Sequence, residues 1–93
     1  MTRYAARVDA NQRDVIEALE AAGAKVYVLG LPLDLLVGFR GKLMLMEVKD
    51  GNKSASRQAK TKLQQRFFEQ WGDMPISLVD GPEAALRHLG VIA

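Results

Sequence analysis

The stretch DLLVGFRGKLMLMEVKDG, residues 34 to 51, sets a carboxylate at each end of an apolar β-hairpin and a lysine two residues after the second. Residues 34 to 37 and 43 to 49 read as strands, and GFRGK, 38 to 42, joins them. Charged groups beside buried strands are costly unless something pairs with them. Asp34, Glu47 and Lys49 therefore point to a salt bridge, a bound metal ion or a solvated face.

Side chains alternate along a strand, so Glu47 and Lys49 share one face with Leu43 and Leu45, while Met44, Met46 and Val48 take the other as core residues. Where Asp34 falls depends on register. A two-residue loop at Phe39 and Arg40 pairs Asp34 with Leu45, diagonal to Glu47. A four-residue loop over 39 to 42 pairs Asp34 with Glu47 directly. Either even loop gathers the two carboxylates on one face, and an odd loop separates them.

Two adjacent carboxylates repel, and one keeps its proton unless a cation intervenes. Lys49 supplies one positive charge and a divalent ion would supply more. Oxygen ligands without His or Cys favour Mg²⁺ or Mn²⁺ over zinc. Such an ion polarises a phosphoryl oxygen and activates water, which phosphodiester hydrolysis requires. A neighbouring lysine orients that water and stabilises developing charge. On these residues alone, a catalytic site and a structural ion pair both stay open.

Outward from the hairpin, residues 10 to 22 carry Val15, Ile16, Leu19 and Ala22 on one helical stripe, with Asp9 and Gln12 as a partial capping box and Gly23 as the stop. KVYVL, 25 to 29, reads as a strand, and Gly30 and Pro32 break it. Residues 50 to 60 have loop composition. Thr61 and Gln64 form a second capping box, opening a helix to Trp71 in which Leu63, Phe67 and Trp71 recur every fourth residue, and Phe67, Phe68 and Trp71 are expected mostly in the core. Because Phe67 and Phe68 cannot both face inward, one of them, or the tail LGVIA, is expected at a dimer interface. ISLV, 76 to 79, is a fourth strand. Asp80 and Pro82 then open a last helix ending near Gly90, with His88 on its surface.

The order is α-β-β-β-α-β-α in one domain spanning 1 to 93. It implies an α/β fold with a mixed four-stranded sheet flanked by helices. The 93 residues are 48% hydrophobic and 26% charged, as in an ordinary globular chain, and contain no cysteine, which removes disulfides and thiolate metal sites. No apolar run reaches the roughly 18 residues of a membrane span, and the polar start MTRYAARVDANQRD does not suit a signal peptide. The net charge is only +2, yet Lys49, Lys53, Arg57, Lys60, Lys62 and Arg66 cluster against the single acid Asp50, a footprint suited either to phosphates or to solvent.

DLLVG and LMLMEVKDG resemble the D-(x)n-E-x-K core of the PD-(D/E)XK nucleases, and the longer string is most similar to the small stand-alone VRR-NUC nucleases of bacteria and their phages. RVDANQRDVIEALEAAGAKV resembles the first helix and strand of that family, and SRQAKTKLQQRFFEQW its loop and helix after the hairpin. The resemblance implies a restriction endonuclease-like core and metal-dependent cleavage of DNA. It further implies a preference for branched forms such as Holliday junctions, a homodimer, and a bacterial or phage-infected cytoplasm. It makes Asp34, Glu47 and the Val48 carbonyl the ligands of Mg²⁺ or Mn²⁺, Lys49 the residue that positions water, and Gln65 a further site residue. Arg40, Lys53, Arg57 and Lys60 become phosphate contacts, which supply affinity rather than sequence choice. Where junction-resolving members carry a glutamate on the first helix, this chain has Gln12, with Glu17 an acid one turn further on. Leu33 stands between Pro32 and Asp34, where the family writes Pro-Asp. The rival expectation is an inactive DNA-binding or interaction module of the same fold.

Overall fold

Apolar residues at three- and four-residue spacing make Ala10–Ala21 the first helix, α1, whose buried side is Gln12, Val15 and Leu19. A computed structural model describes residues 10–49 and 62–93. Three strands follow: β1 (Lys25–Val28), β2 (Leu35–Phe39) and β3 (Lys42–Val48). After them come helix α2 (Lys62–Trp71), strand β4 (Ile76–Val79) and helix α3 (Pro82–Leu89). Gly72 follows α2 where a Cβ would lie 2.6 Å from the Phe68 carbonyl oxygen. Pro82 opens α3 with a ring already shaped for the first turn, and Gly90 closes it in the left-handed conformation.

The sheet runs β1-β2-β3-β4 in space, antiparallel across the first two junctions and parallel across the last. That is the mixed four-stranded sheet flanked by helices expected above. Leu35 pairs with Met46 and Phe39 with Lys42, so the hairpin loop has two residues, Arg40 and Gly41. The sequence expectation placed a two-residue loop one position earlier, or a four-residue loop at 39–42, and both placements are corrected. A two-residue hairpin needs left-handed backbone at both loop positions. Arg40 and Gly41 adopt it, with φ of 53° and 79°, while Phe39 stays in the strand as a buried residue.

Leu35, Val37, Phe39 and Met46 form one face of the sheet with Ser77 and Val79. Helices α1 and α3 close over this face, joining Val15, Leu19, Ala85 and Leu89 to it. Each fully buried Val, Leu or Met there contributes about 1.5–3 kcal/mol of burial free energy. Met46 sits in this core as expected and Met44 packs against it.

The opposite face carries Leu36, Leu45, Glu47 and Lys49, with Tyr27, Leu43 and Leu78 exposed. Here α2 departs from expectation, since none of its residues is buried. Leu63 and Trp71 are 51% and 48% exposed, and Trp71 stacks on Phe67 with ring centroids 5.8 Å apart. The Leu63-Phe67-Trp71 stripe follows the helical period but meets no core among the described residues. Among those residues, no helix is long and apolar enough to cross a membrane.

Candidate metal centre

The hairpin register decides the site. Continued one step past Leu35 and Met46, it sets Asp34 across from Glu47 on the face away from α1 and α3. This is the direct pairing that the sequence offered, reached through a shorter loop. A further step would pair Val48 with Leu33, but β2 has already ended, and the Val48 amide donates instead to Asp34 Oδ2 at 2.8 Å. In a regular strand a residue's carbonyl leaves on the same side as its amide. The Val48 carbonyl is therefore directed toward Asp34, at a ladder position that no β2 amide serves.

Asp34 is held by its own main chain as well. Its carbonyl accepts the amides of Leu29 at 2.8 Å and Gly30 at 3.3 Å, closing the connection between β1 and β2. Leu33, the residue inserted before Asp34, is fully buried and anchors that connection from beneath. The insertion thus leaves Asp34 at the end of β2, aimed at β3.

Glu47 is the most confined charge of the group, 8% exposed. Its Oε2 accepts the Gln64 side-chain amide at 3.1 Å and lies 3.7 Å from Lys49 Nζ. Its Oε1 is buried with no hydrogen-bond partner among the described residues. Burial pushes the Glu47 carboxyl above its ordinary range and the neighbouring Asp34 charge pushes it further, against the Gln64 hydrogen bond, the Lys49 charge and the Asp34 main-chain amide. An unpartnered, buried carboxylate oxygen is expensive, and native structures hold few of them.

Lys49 leaves β3 on the same face as Glu47. Its amide donates to Val79 at 2.7 Å, and its carbonyl accepts Asn11 Nδ2 at 2.9 Å. The same Asn11 amide also reaches the Asp80 carbonyl at 3.2 Å, so α1 ties down the ends of β3 and β4.

The helix after the hairpin contributes Gln64 rather than Gln65. Gln64 Nε2 bridges Glu47 and the Pro32 carbonyl, both at 3.1 Å, while Gln65 is exposed. The two residues differ by about 100° of helix rotation, and the capping role read for Gln64 hid this one. Asn11 carried no local signal, because its partners lie 38 and 69 residues away. Gln12 is buried on the side of α1 that packs on the sheet, and Glu17 is exposed. Arg40 sits at the hairpin tip, far from the carboxylates, and His88 is exposed as expected. Lys53, Arg57, Lys60, Asp9 and Thr61 lie outside the described residues.

The donor set suits one hard divalent cation. Asp34 Oδ2 and Glu47 Oε2 accept protein donors, Glu47 Oε1 has no hydrogen-bond partner among the described residues, and the Val48 carbonyl lies on the β2 side of β3 by strand geometry. Among the described residues, no group of three or more His, Cys, Asp or Glu forms. One or two carboxylates with several retained waters is the usual arrangement for Mg²⁺, whereas Zn²⁺ would want nitrogen or sulfur. No protein-family model, curated protein or solved structure significantly matches the chain. What stands on the geometry is an α/β protein with a two-carboxylate, one-lysine constellation at the end of a central hairpin.

Proposed function

We propose that the protein is a metal-dependent DNA endonuclease of the PD-(D/E)XK type, related to the VRR-NUC nucleases, and acts on branched DNA such as Holliday junctions as a homodimer. The observation that carries this reading is the buried Glu47 Oε1, without a hydrogen-bond partner among the described residues, on a residue that the register sets across from Asp34 and beside Lys49. A structural ion pair would leave no buried oxygen unserved. A ligand set waiting for a cation does.

Asp34, Glu47 and the Val48 carbonyl would hold Mg²⁺ or Mn²⁺. Bound there, the ion would polarise a phosphoryl oxygen and lower the pKa of its water. Lys49, its main chain pinned by Val79 and Asn11, keeps its ammonium beside Glu47, where it orients the attacking water and offsets charge on the phosphate. Water adds to phosphorus as the bond to one ester oxygen breaks; the attacking water gives a proton to solvent and the leaving oxygen takes one up from solvent. Gln64 fixes the Glu47 rotamer so that Oε2 stays with the protein and Oε1 faces the ligand site.

The test is cleavage of a labelled four-way junction beside linear duplex, with Mg²⁺, Mn²⁺ or EDTA, for wild type and Lys49→Ala. Metal-dependent paired cuts that vanish in the variant support the reading. Equal cutting of every substrate keeps the nuclease and removes the junction preference. Tight junction binding without cutting by wild type assigns an inactive binding module instead.

A further inference from the structure

The other end of the same hairpin holds a second arrangement, and its charge is opposite. An open cleft of about 370 Å³ lies there, lined by Lys25, Arg40 and Lys42 together with Phe39 and the glycines 23 and 38. All three cations are exposed, and none pairs with a carboxylate among the described residues. They come from three places: Lys25 from the edge strand β1, Arg40 from the loop and Lys42 from the start of β3. Lys25 pairs with Gly38 and shares the face of Glu47, Lys42 belongs to the opposite face, and Arg40 sits between them at the tip. Gly38 keeps the groove open, since a side chain there would project between Leu43 and Lys25.

Arg40 is the informative residue. Its φ of 53° is left-handed, a conformation that Asn or Gly adopts more cheaply, and Asn-Gly is the favoured pair for this loop. Turn chemistry alone does not account for an arginine here. Its guanidinium lies over the Phe39 ring, 4.7 Å from the centroid, which limits its wandering at the cleft mouth.

We propose that this cleft seats a backbone phosphate of the DNA whose cleavage site lies at Asp34 and Glu47, about five base pairs away along one arm. The proposal rests on the reading of the protein as one that acts on DNA. Glu47 and Lys42 are about five strand steps apart, roughly 17 Å at about 3.4 Å per residue. Duplex rises by about 3.4 Å per base pair and makes about half a turn in five, so an arm laid along the hairpin brings a phosphate of the complementary strand, about five base pairs on, to the cleft. Three cations around one open groove match a phosphodiester oxygen pair, and they bind without reading sequence. The competing role is structural: Gly23 follows the C-terminal end of α1, whose last turn has no basic residue, so the cations also suit its free carbonyls.

Two variants separate these roles, Arg40→Asn and the triple variant Lys25→Gln/Arg40→Asn/Lys42→Gln. Binding of labelled duplex arms is followed by anisotropy in EDTA over a range of salt, beside thermal melting. A phosphate role predicts that Arg40→Asn melts higher yet binds more weakly. The triple variant should lose about tenfold or more in affinity, and its slope of log K against log salt should flatten by about one. An arm trimmed short of the fifth base pair should erase the difference between wild type and variant. Unchanged affinity and slope, or a lower melting temperature for Arg40→Asn, would overturn the cleft assignment and leave the cleavage reading standing. Binding that depends on the three cations, in a protein that cuts nothing, would keep the cleft and remove the cleavage reading. A wild type that binds no DNA at all removes both.

Discussion

The two ends of the β2–β3 hairpin each break a local rule, and they break different ones. At the Asp34–Glu47 end the rule concerns burial: a carboxylate 8% exposed keeps one oxygen without a partner among the described residues. At the Arg40 end it concerns the backbone: a bulky residue holds φ at 53° in plain solvent. The buried violation is braced from all sides, by the β1–β2 connection through Asp34, by α2 through Gln64 and by α1 through Asn11. The exposed one leans only on the Phe39 ring. Bracing of this kind suits chemistry, where a reacting group must be held within a fraction of an ångström. A loosely held group of cations suits affinity, since long-range attraction to phosphate tolerates imprecision.

The largest effects should come from the braced end, and they should point in opposite directions. Glu47→Gln removes a ligand charge while keeping its shape. Cleavage should fall by about 10²–10³-fold or more, the range found when one electrostatic contact to a transition state is lost. In metal-free protein at neutral pH the same change removes a buried charge and its repulsion from Asp34, and should raise the melting temperature. Magnesium should raise the melting temperature of wild type and leave Glu47→Gln unmoved. Loss of activity together with loss of stability would turn Glu47 into a structural residue.

The pH dependence sharpens the same point. Burial and Asp34 raise the Glu47 pKa above 4.5 in the folded state. Between 4.5 and that raised value the folded protein binds more proton than the unfolded chain. The Glu47 contribution to metal-free stability is therefore full below 4.5, declines as pH rises through the window and is gone above it. Glu47→Gln should lack this decline, and difference melts between wild type and variant from mildly acidic to neutral pH would show it. Parallel curves would mean that Glu47 ionises as it does in water.

Smaller effects test the bracing itself. Gln64→Ala removes the donor to Glu47 Oε2 and to the Pro32 carbonyl, and should cost about 1–3 kcal/mol by leaving a second Glu47 oxygen unserved. Gln65→Ala, one position along the same exposed helix, should stay within about 0.5 kcal/mol. Equal costs for the two would mean that Gln64 acts through the helix rather than through Glu47.

That pair also marks where the sequence stops being legible. The central hairpin, its mixed sheet and the Asp34-Glu47-Lys49 set could be read because strand alternation has a period of two, and an even loop leaves only one face for the carboxylates. The loop bounds are less legible: the four-residue reading has the observed register but overstates the loop, and the two-residue reading falls one residue early, since an arginine in left-handed backbone runs against the propensity that sequence reading uses. The resemblance points to Gln65 and the capping pattern accounts for Gln64, and a helix has no local mark of its rotational phase when its apolar stripe packs on nothing. The same lack put Phe67 and Trp71 in a core they do not join. Asn11, and the meeting of Lys25 and Lys42 with Arg40, depend on contacts across the sheet that exist only once the register is known.

The smallest structural perturbation asks whether the two ends serve one DNA molecule. Leu43 lies on the face shared by Lys25 and Glu47, lines the cleft on its carboxylate side, and is exposed. Replacing it with Glu should change stability by no more than about 0.5 kcal/mol, as for other surface positions. If an arm runs along the hairpin from one end to the other, the new charge meets its backbone, and affinity falls at low salt and recovers partly at high salt, where repulsion is screened. If the ends bind separate molecules, short arms that reach only the carboxylates should bind Leu43→Glu and wild type alike. Comparing short and long arms on this one variant therefore reads the path of the DNA while the carboxylates stay untouched.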